Sequence, residues 1–392
     1  MKILNTVEFY SPSVGGMQEA VKQISENLVS LGHDVTVATS WIPERHFKKL
    51  NGVKVKEFNI VGNLVRGFKG ETEKYIDFVV NTKFDIVANF AAQQWATDLL
   101  LPNLTKIKAK KVFVPTGFSG LYSPLYQNYF RKMKGWLKQY DMNIFLSENY
   151  RDINFAKQNK NKNIKIIPNG AAKNEFLNKS NIDIRKLLKI PKNHFLILTV
   201  GSHTGMKGHQ EAIKIFKEIN VSKSTLLIVG QGSFSYAGCF WKCKLDEYIS
   251  RYLPEFKQSQ KIILNANLTR PQVIAAYQAA NLFLFPSRIE CSPLVLFESA
   301  AAKLPFFTSD VGNAKEIVKW TKGGVVLPTT NDKLGFSRTK IKPSARIIEK
   351  YYLNPSKLIS MGKMDHHSWL KSFTWEKIAK QYESLYESLI HP

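Results

Sequence analysis

The stretch MKILNTVEFYSPSVGGMQEAVKQISENLVSLGHDVTVA, residues 1–38, decides the fold. Lys2–Val7 is a short apolar run, and a loop follows that contains Pro12 and the paired Gly15 and Gly16. Beyond it Met17, Ala20, Val21, Ile24, Leu28 and Leu31 recur at steps of one, three and four, which puts them on one helical face. Gly32-His33-Asp34 stops that helix, with His33 in a turn role, and Val35–Ala38 alternates as a strand. Strand, loop, helix and strand in this order form a βαβ unit, from which parallel sheets are built. The glycine pair at the helix start has two readings. It is an ordinary tight turn, or a place where free N–H groups and the helix dipole receive an anion. Its spacing is not Gly-x-Gly-x-x-Gly, so the dinucleotide fingerprint is absent.

Outward from this unit the pattern repeats. Strands are expected at Asp85–Asn89, Lys111–Val114 and Asn143–Ser147, and the run Ile164–Ile167 meets the stop signal Pro168-Asn169-Gly170. Phe195–Val200 restarts it, followed by a loop from Gly201 to Gly208 and a helix carrying Ile213, Phe216 and Ile219. Leu226–Val229 ends in Gly230-Gln231-Gly232, a plain turn or a ligand contact. Strands at Lys261–Leu264, Asn281–Phe285 and Pro305–Thr308 are separated by helical stretches at Gln272–Ala280 and Leu294–Ala302. The chain has 392 residues, more than one core usually organises. The reading is therefore α/β, with two Rossmann-like domains of parallel sheets at residues 1–172 and 173–372. A ligand is expected at the carboxyl ends of the strands, in a cleft between the halves.

The net charge is +25, from 56 Lys and Arg against 31 Asp and Glu. Such a balance attracts nucleotide diphosphates, acidic lipid headgroups or nucleic acid. No nucleic-acid-binding motif is present, which favours the first two. A hydrophobic share of 44% argues against disorder. No run approaches the roughly 20 apolar residues of a membrane span, and the first apolar run is too short for a signal peptide. A cytoplasmic protein is expected, at most peripheral to the inner membrane face. The segment Tyr122–Tyr140 interleaves Tyr126, Tyr129, Phe130 and Trp136 with Arg131, Lys132, Lys134 and Lys138. It reads as a helix lying on an anionic membrane surface, or as one burying its aromatics in its own domain. Cys239 and Cys243 stand four apart beside tryptophan and phenylalanine. A zinc site would need further ligands near them, and the neighbouring sequence supplies none, so they and Cys291 are read as reduced packing cysteines.

The most specific stretch is Pro286-Ser287-Arg288-Ile289-Glu290-Cys291-Ser292-Pro293-Leu294-Val295-Leu296-Phe297-Glu298. A strand ends at Phe285, a polar loop carries Glu290, and a helix starts near Pro293, a position that suits proline. Glu298 falls just over one turn inside, so both carboxylates reach one ligand at the strand end, where the helix start favours an anion. Glu290 and Glu298, with seven residues between them, resemble the E-x7-E motif of retaining GT-B glycosyltransferases of family 4. The resemblance covers nearly the whole chain. It includes the Gly15-Gly16 loop, Ile167–Gly170, Val200-Gly201 followed by Lys207-Gly208, and a terminal segment 373–392 like the family's last helix, which crosses back onto the first domain.

The resemblance implies a hexosyltransferase with a nucleotide-sugar donor and a saccharide or glycolipid acceptor, of the kind used in cell-envelope polysaccharide or lipopolysaccharide synthesis. Glu290 and Lys207 would be catalytic, Glu290 on the donor sugar and Lys207 on the diphosphate. Glu298 would hold the ribose. Cys291, Ser292, Pro293 and Leu294 would meet sugar and diphosphate, and Gly15 and Gly16 the leaving phosphate. No metal or other cofactor is expected, since lysine and helix starts carry the leaving-group charge. Three departures stand out. Ser202 replaces an arginine frequent in the family, Glu290-Cys291-Ser292-Pro293 replaces Glu-Gly-Phe-Gly, and the loop Val114–Phe118 lacks a histidine. They leave open a relative that binds nucleotide-sugar or a partner without turnover. A dinucleotide oxidoreductase would need glycine spacing that neither loop supplies.

Overall fold

The computed structural model describes residues 1–232 and 238–391. They divide into two compact units, residues 1–169 with the segment from Trp375 on, and Gly170–Thr374.

The first unit is built on an eight-stranded sheet. Its order is Ile164–Ile166, Met142–Phe145, Lys110–Val114, Ile86–Phe90, Lys2–Thr6, Asp34–Ser40, Val53–Phe58 and Lys49–Leu50. All neighbours are parallel except the last pair. Crossover helices cover a parallel sheet on both faces, and the central strand accordingly buries Ile3, Leu4, Asn5 and Thr6 completely. Buried polar groups there are paired, as in Asn89, which donates to Thr6 Oγ1 and accepts from Tyr140, both at 2.8 Å. The expected first helix runs Gly16–Ser30 and buries Ala20, Val21, Ile24 and Leu28. The terminal helix Trp375–Ile390 packs beside it, burying Ile378, Tyr382 and Tyr386. His33 ends the turn as read, and its Nε2 also lies 2.9 Å from Glu383 Oε1.

The helix Gln127–Gln139 settles the two readings of the aromatic and basic segment. Tyr129, Phe130, Met133, Trp136 and Leu137 are buried among the unit's own core, while Arg131, Lys132, Lys134 and Lys138 face solvent. The aromatics are committed to packing, so this helix has no apolar face left for acyl chains. No helix among the described residues is long and apolar enough to cross a membrane.

The second unit holds a six-stranded, wholly parallel sheet in the order Lys261–Ala266, Ser224–Val229, Phe195–Val200, Leu282–Phe285, Phe306–Thr308 and Val325–Val326. These strands are near-continuous apolar runs, as burial on both faces demands. The unit's two ends are tied together. Ala171 bridges Thr374, Ala171 N–H donates to Phe373 O at 3.0 Å, and Trp369 Nε1 donates to Ala171 O at 3.2 Å.

Candidate active site

Three neighbouring strands of the second unit, Phe195–Val200, Ser224–Val229 and Leu282–Phe285, end in loops packed backbone to backbone. A Cβ on Gly208, whose φ is +74°, would fall 1.9 Å from Pro286 O, and one on Gly230 would fall 2.0 Å from Gly201 O. Only glycine permits these approaches. The loop 201–208 and the loop 286–293 are then stitched together. Arg288 N–H donates to Met206 O at 2.9 Å, and Arg288 Nε donates to Glu211 Oε1 at 2.8 Å.

This stitching brings Lys207 to Glu290, although 83 positions separate them in sequence. Lys207 Nζ sits 2.7 Å from Glu290 Oε1, which also accepts from Ser287 Oγ at 2.9 Å. The lysine side chain is 30% exposed and the glutamate 11%, so an incoming anion can reach the cation without unfolding the loop. Next to Glu290, Cys291 O accepts from Asn313 N–H at 2.9 Å and Ser292 Oγ from Asn313 Nδ2 at 3.2 Å. The helix Leu294–Ala301 then starts after Pro293, which gives it no side-chain cap. A helix start of this kind presents N–H groups to an anion. Ser202 is exposed at the beginning of the lysine loop.

Glu298 has a different partner. It is 7% exposed, and Arg270 Nη1 lies 2.7 Å from its Oε1. Arg270 also reaches both oxygens of Glu175 and lies 5.8 Å from the centroid of the Phe176 ring. Burial works against the arginine charge, but Glu298 and Glu175 outweigh it and raise its pKa. Beside them, burial first and the Glu298 charge second push the Tyr277 hydroxyl far up. The two carboxylates of the motif thus engage different cations. Sequence reasoning did not single out Arg270 or Asn313. A signal for Arg270 existed in Thr269-Arg270-Pro271-Gln272, where Thr269 and Gln272 form a capping box at the start of the helix Arg270–Ala279.

The sequence matches known families in two parts. Residues 14–173 match the family described as Glycosyltransferase Family 4, and residues 180–335 match Glycosyl transferases group 1. The chain belongs to the GT-B glycosyltransferases. This glycosyltransferase is 23% identical to the uncharacterized glycosyltransferase MJ1607 of Methanocaldococcus jannaschii, over 99% of its own length and 98% of that protein. It is 28% identical to the capsular polysaccharide biosynthesis glycosyltransferase CapM of Staphylococcus aureus, over 60% of its length and 58% of that protein. In fold it is similar to Anabaena Alr3699/HepE in complex with UDP, with a TM-score of 0.74 at 18% identity, covering 99% of this chain and 100% of that one.

In the first unit of the glycosyltransferase, Gly15 precedes the helix Gly16–Ser30 and provides no side-chain cap. Its φ of 175° is extended backbone open to any residue, so the pair is not demanded by backbone strain. The strain lies two loops away. Ala91, Gln93 and Thr116 adopt φ values of 62°, 64° and 58°, at the ends of Ile86–Phe90 and Lys110–Val114. Left-handed non-glycine residues persist where surrounding bonds over-determine them. Here Gln93 N–H donates to Asp98 Oδ1 at 3.2 Å, and Gly117 N–H donates to Asp152 Oδ2 at 2.8 Å. Burial lifts both Asp98 and Asp152 to about 6, and burial followed by the Asp98 charge raises Glu8. The loop that lacks a histidine is therefore shaped by Asp152 from beneath.

Proposed function

We propose that this glycosyltransferase transfers a hexose from a nucleotide-diphosphate sugar, held by the second unit, to an acceptor hydroxyl with retention of configuration. The observation that carries the reading is the Lys207–Glu290 ion pair beside the uncapped start of the helix Leu294–Ala301. A diphosphate entering there competes for Lys207 and frees Glu290 to accept bonds from sugar hydroxyls. The departing charge is then stabilised by the lysine and by the N–H groups of Cys291, Ser292 and Leu294, which is electrostatic catalysis by fixed groups. Glu298 and Arg270 form a polar floor for the ribose. In the first unit, Gly15 and Gly16 supply backbone N–H groups for a phosphate. This mechanism calls on no resident metal.

UDP-sugars are the first donors to try, since the similarly folded Anabaena Alr3699/HepE is in complex with UDP. The name of CapM supports a saccharide or glycolipid acceptor of the cell envelope. The exposed lysines of Gln127–Gln139 would suit work at the inner face of an anionic membrane. The test is donor hydrolysis and transfer with a panel of UDP-, GDP- and ADP-sugars. One donor should turn over, and Lys207→Ala and Glu290→Gln should each lower kcat/KM by about 10²–10³-fold, as loss of one charge-stabilising group does. Variants that match the wild type on the accepted donor would refute the site.

A further inference from the structure

A second cluster of polar side chains lies behind the lysine loop. His203 sits in the loop 201–208, and His209 opens the helix His209–Glu218. Cys239 is the N-cap of the helix Phe240–Ser250, and Cys243 follows one turn later. All four are buried, with exposures of 1%, 1%, 7% and 0%. One ligand atom from each lies within 4.8 Å of all the others. His203 Nδ1 and His209 Nδ1 are 3.2 Å apart, and Cys239 Sγ stands 3.5 Å from the first and 3.6 Å from the second.

The three separations among His203, His209 and Cys239 match edges of a zinc tetrahedron, and Cys243 lies near enough to take the fourth corner. Zinc bonds of about 2.0–2.1 Å to nitrogen and about 2.3 Å to sulfur imply edges of about 3.3–3.4 Å between nitrogens and about 3.5–3.6 Å between nitrogen and sulfur. The spacings His-x5-His and Cys-x3-Cys also fall in the structural zinc range. We propose that His203, His209, Cys239 and Cys243 bind one zinc-type divalent cation. Two thiolates and two neutral imidazoles around a 2+ ion leave the site uncharged. That is the one state a cavity this dry accommodates without a further counter-ion. Binding releases two protons when both thiols begin protonated. The groups that touch these four side chains suit the same reading. Gln210 Nε2 donates to Cys243 Sγ at 3.4 Å, Cys239 N–H donates to His203 O at 3.0 Å, and Phe240 meets His203 edge to face at 5.3 Å.

Four protein ligands close the coordination sphere, so the ion is structural and leaves no open position for substrate. It fastens the helix Phe240–Ser250 to the loop that carries Lys207, two residues before His209. The proposal stands whether or not the chain transfers sugar. The sequence concealed it because the histidines precede the cysteines by 30 residues or more, and only the adjacency of two strands brings them together.

The full chain, prepared without a histidine tag or chelator, should contain one zinc per chain by mass spectrometry of the metal. The Cys239→Ser/Cys243→Ser double variant should retain less than a tenth of it. Stripped and reduced wild type, titrated with Co²⁺, should develop a thiolate-to-cobalt charge-transfer band and the intense visible bands of tetrahedral cobalt, and lose both on adding zinc. The cobalt titration uses unaltered protein, so it decides the matter even where the variant fails to fold. Reduced wild type that takes up neither metal at micromolar concentration, or a cobalt spectrum without the thiolate band, overturns the proposal.

Discussion

Lys207 and Arg270 are both cations holding a carboxylate, yet their surroundings give them different work. Lys207 holds one carboxylate, and Glu290 keeps its bond from Ser287 Oγ when the lysine is removed, so replacing Lys207 should cost no more than about 1 kcal/mol. Arg270 holds two carboxylates at once, Glu298 and Glu175. Arg270→Ala strands Glu298 and should cost about 1.5–3 kcal/mol in a urea melt, with Arg270→Lys in between because lysine cannot span Glu175 and Glu298 together. An Arg270→Ala protein that melts like the wild type would show that Glu298 does not depend on it. Lys207, Glu290 and Glu298 were legible because each sits at a fixed distance from a strand end or a helix start. Arg270 was not, since it reaches Glu298 from a helix whose start lies 28 residues upstream, and ordinary chain spacing says nothing of such a meeting.

Among elements, the helix Pro355–Ser372 carries a carboxyl with no solvent contact. Asp365 Oδ1 accepts from Gly323 N–H at 2.8 Å, while its Oδ2 is buried without a hydrogen-bond partner. Burial raises the group from 3.8 to about 7. The folded state thus holds this proton more tightly than the unfolded chain. The contribution to stability is greatest below pH 3.8, falls as pH rises through 7, and is flat beyond. Asp365→Asn should remove that slope, so the variant gains on the wild type between pH 5 and pH 8 in paired thermal melts. Asp98 and Asp152, lifted to about 6, slope the same way in both proteins and cancel in the difference. Strands and helices with strong periodicity were readable from sequence. The strand Val53–Phe58 alternates its burial only from Val53 to Lys56 before Glu57 and Phe58 break the period, and its two lysines dilute the apolar signal, so it is not legible in the sequence. The two-residue strands Lys49–Leu50 and Val325–Val326 are too short to carry any period.

At the scale of the molecule, the charge of +25 has a measurable consequence. With the aromatics of Gln127–Gln139 turned inward, this helix offers a membrane only the charges of Arg131, Lys132, Lys134 and Lys138, at about 1 kcal/mol each. The protein should co-sediment with acidic-lipid vesicles at low salt and leave them at high salt, and reversing these four charges should weaken the binding. Indifference to acidic vesicles at low salt would remove the membrane from the picture. The alternation of strand and helix announced both sheets, whereas the clasp between Ala171 and Thr374 could not be seen in a linear reading. That clasp makes residues 170–374 a cassette whose points of entry and exit lie side by side. If the second unit holds the donor as proposed, a chimaera joined at those two points exchanges one relative's donor preference for another's while leaving the recipient's first sheet unbroken.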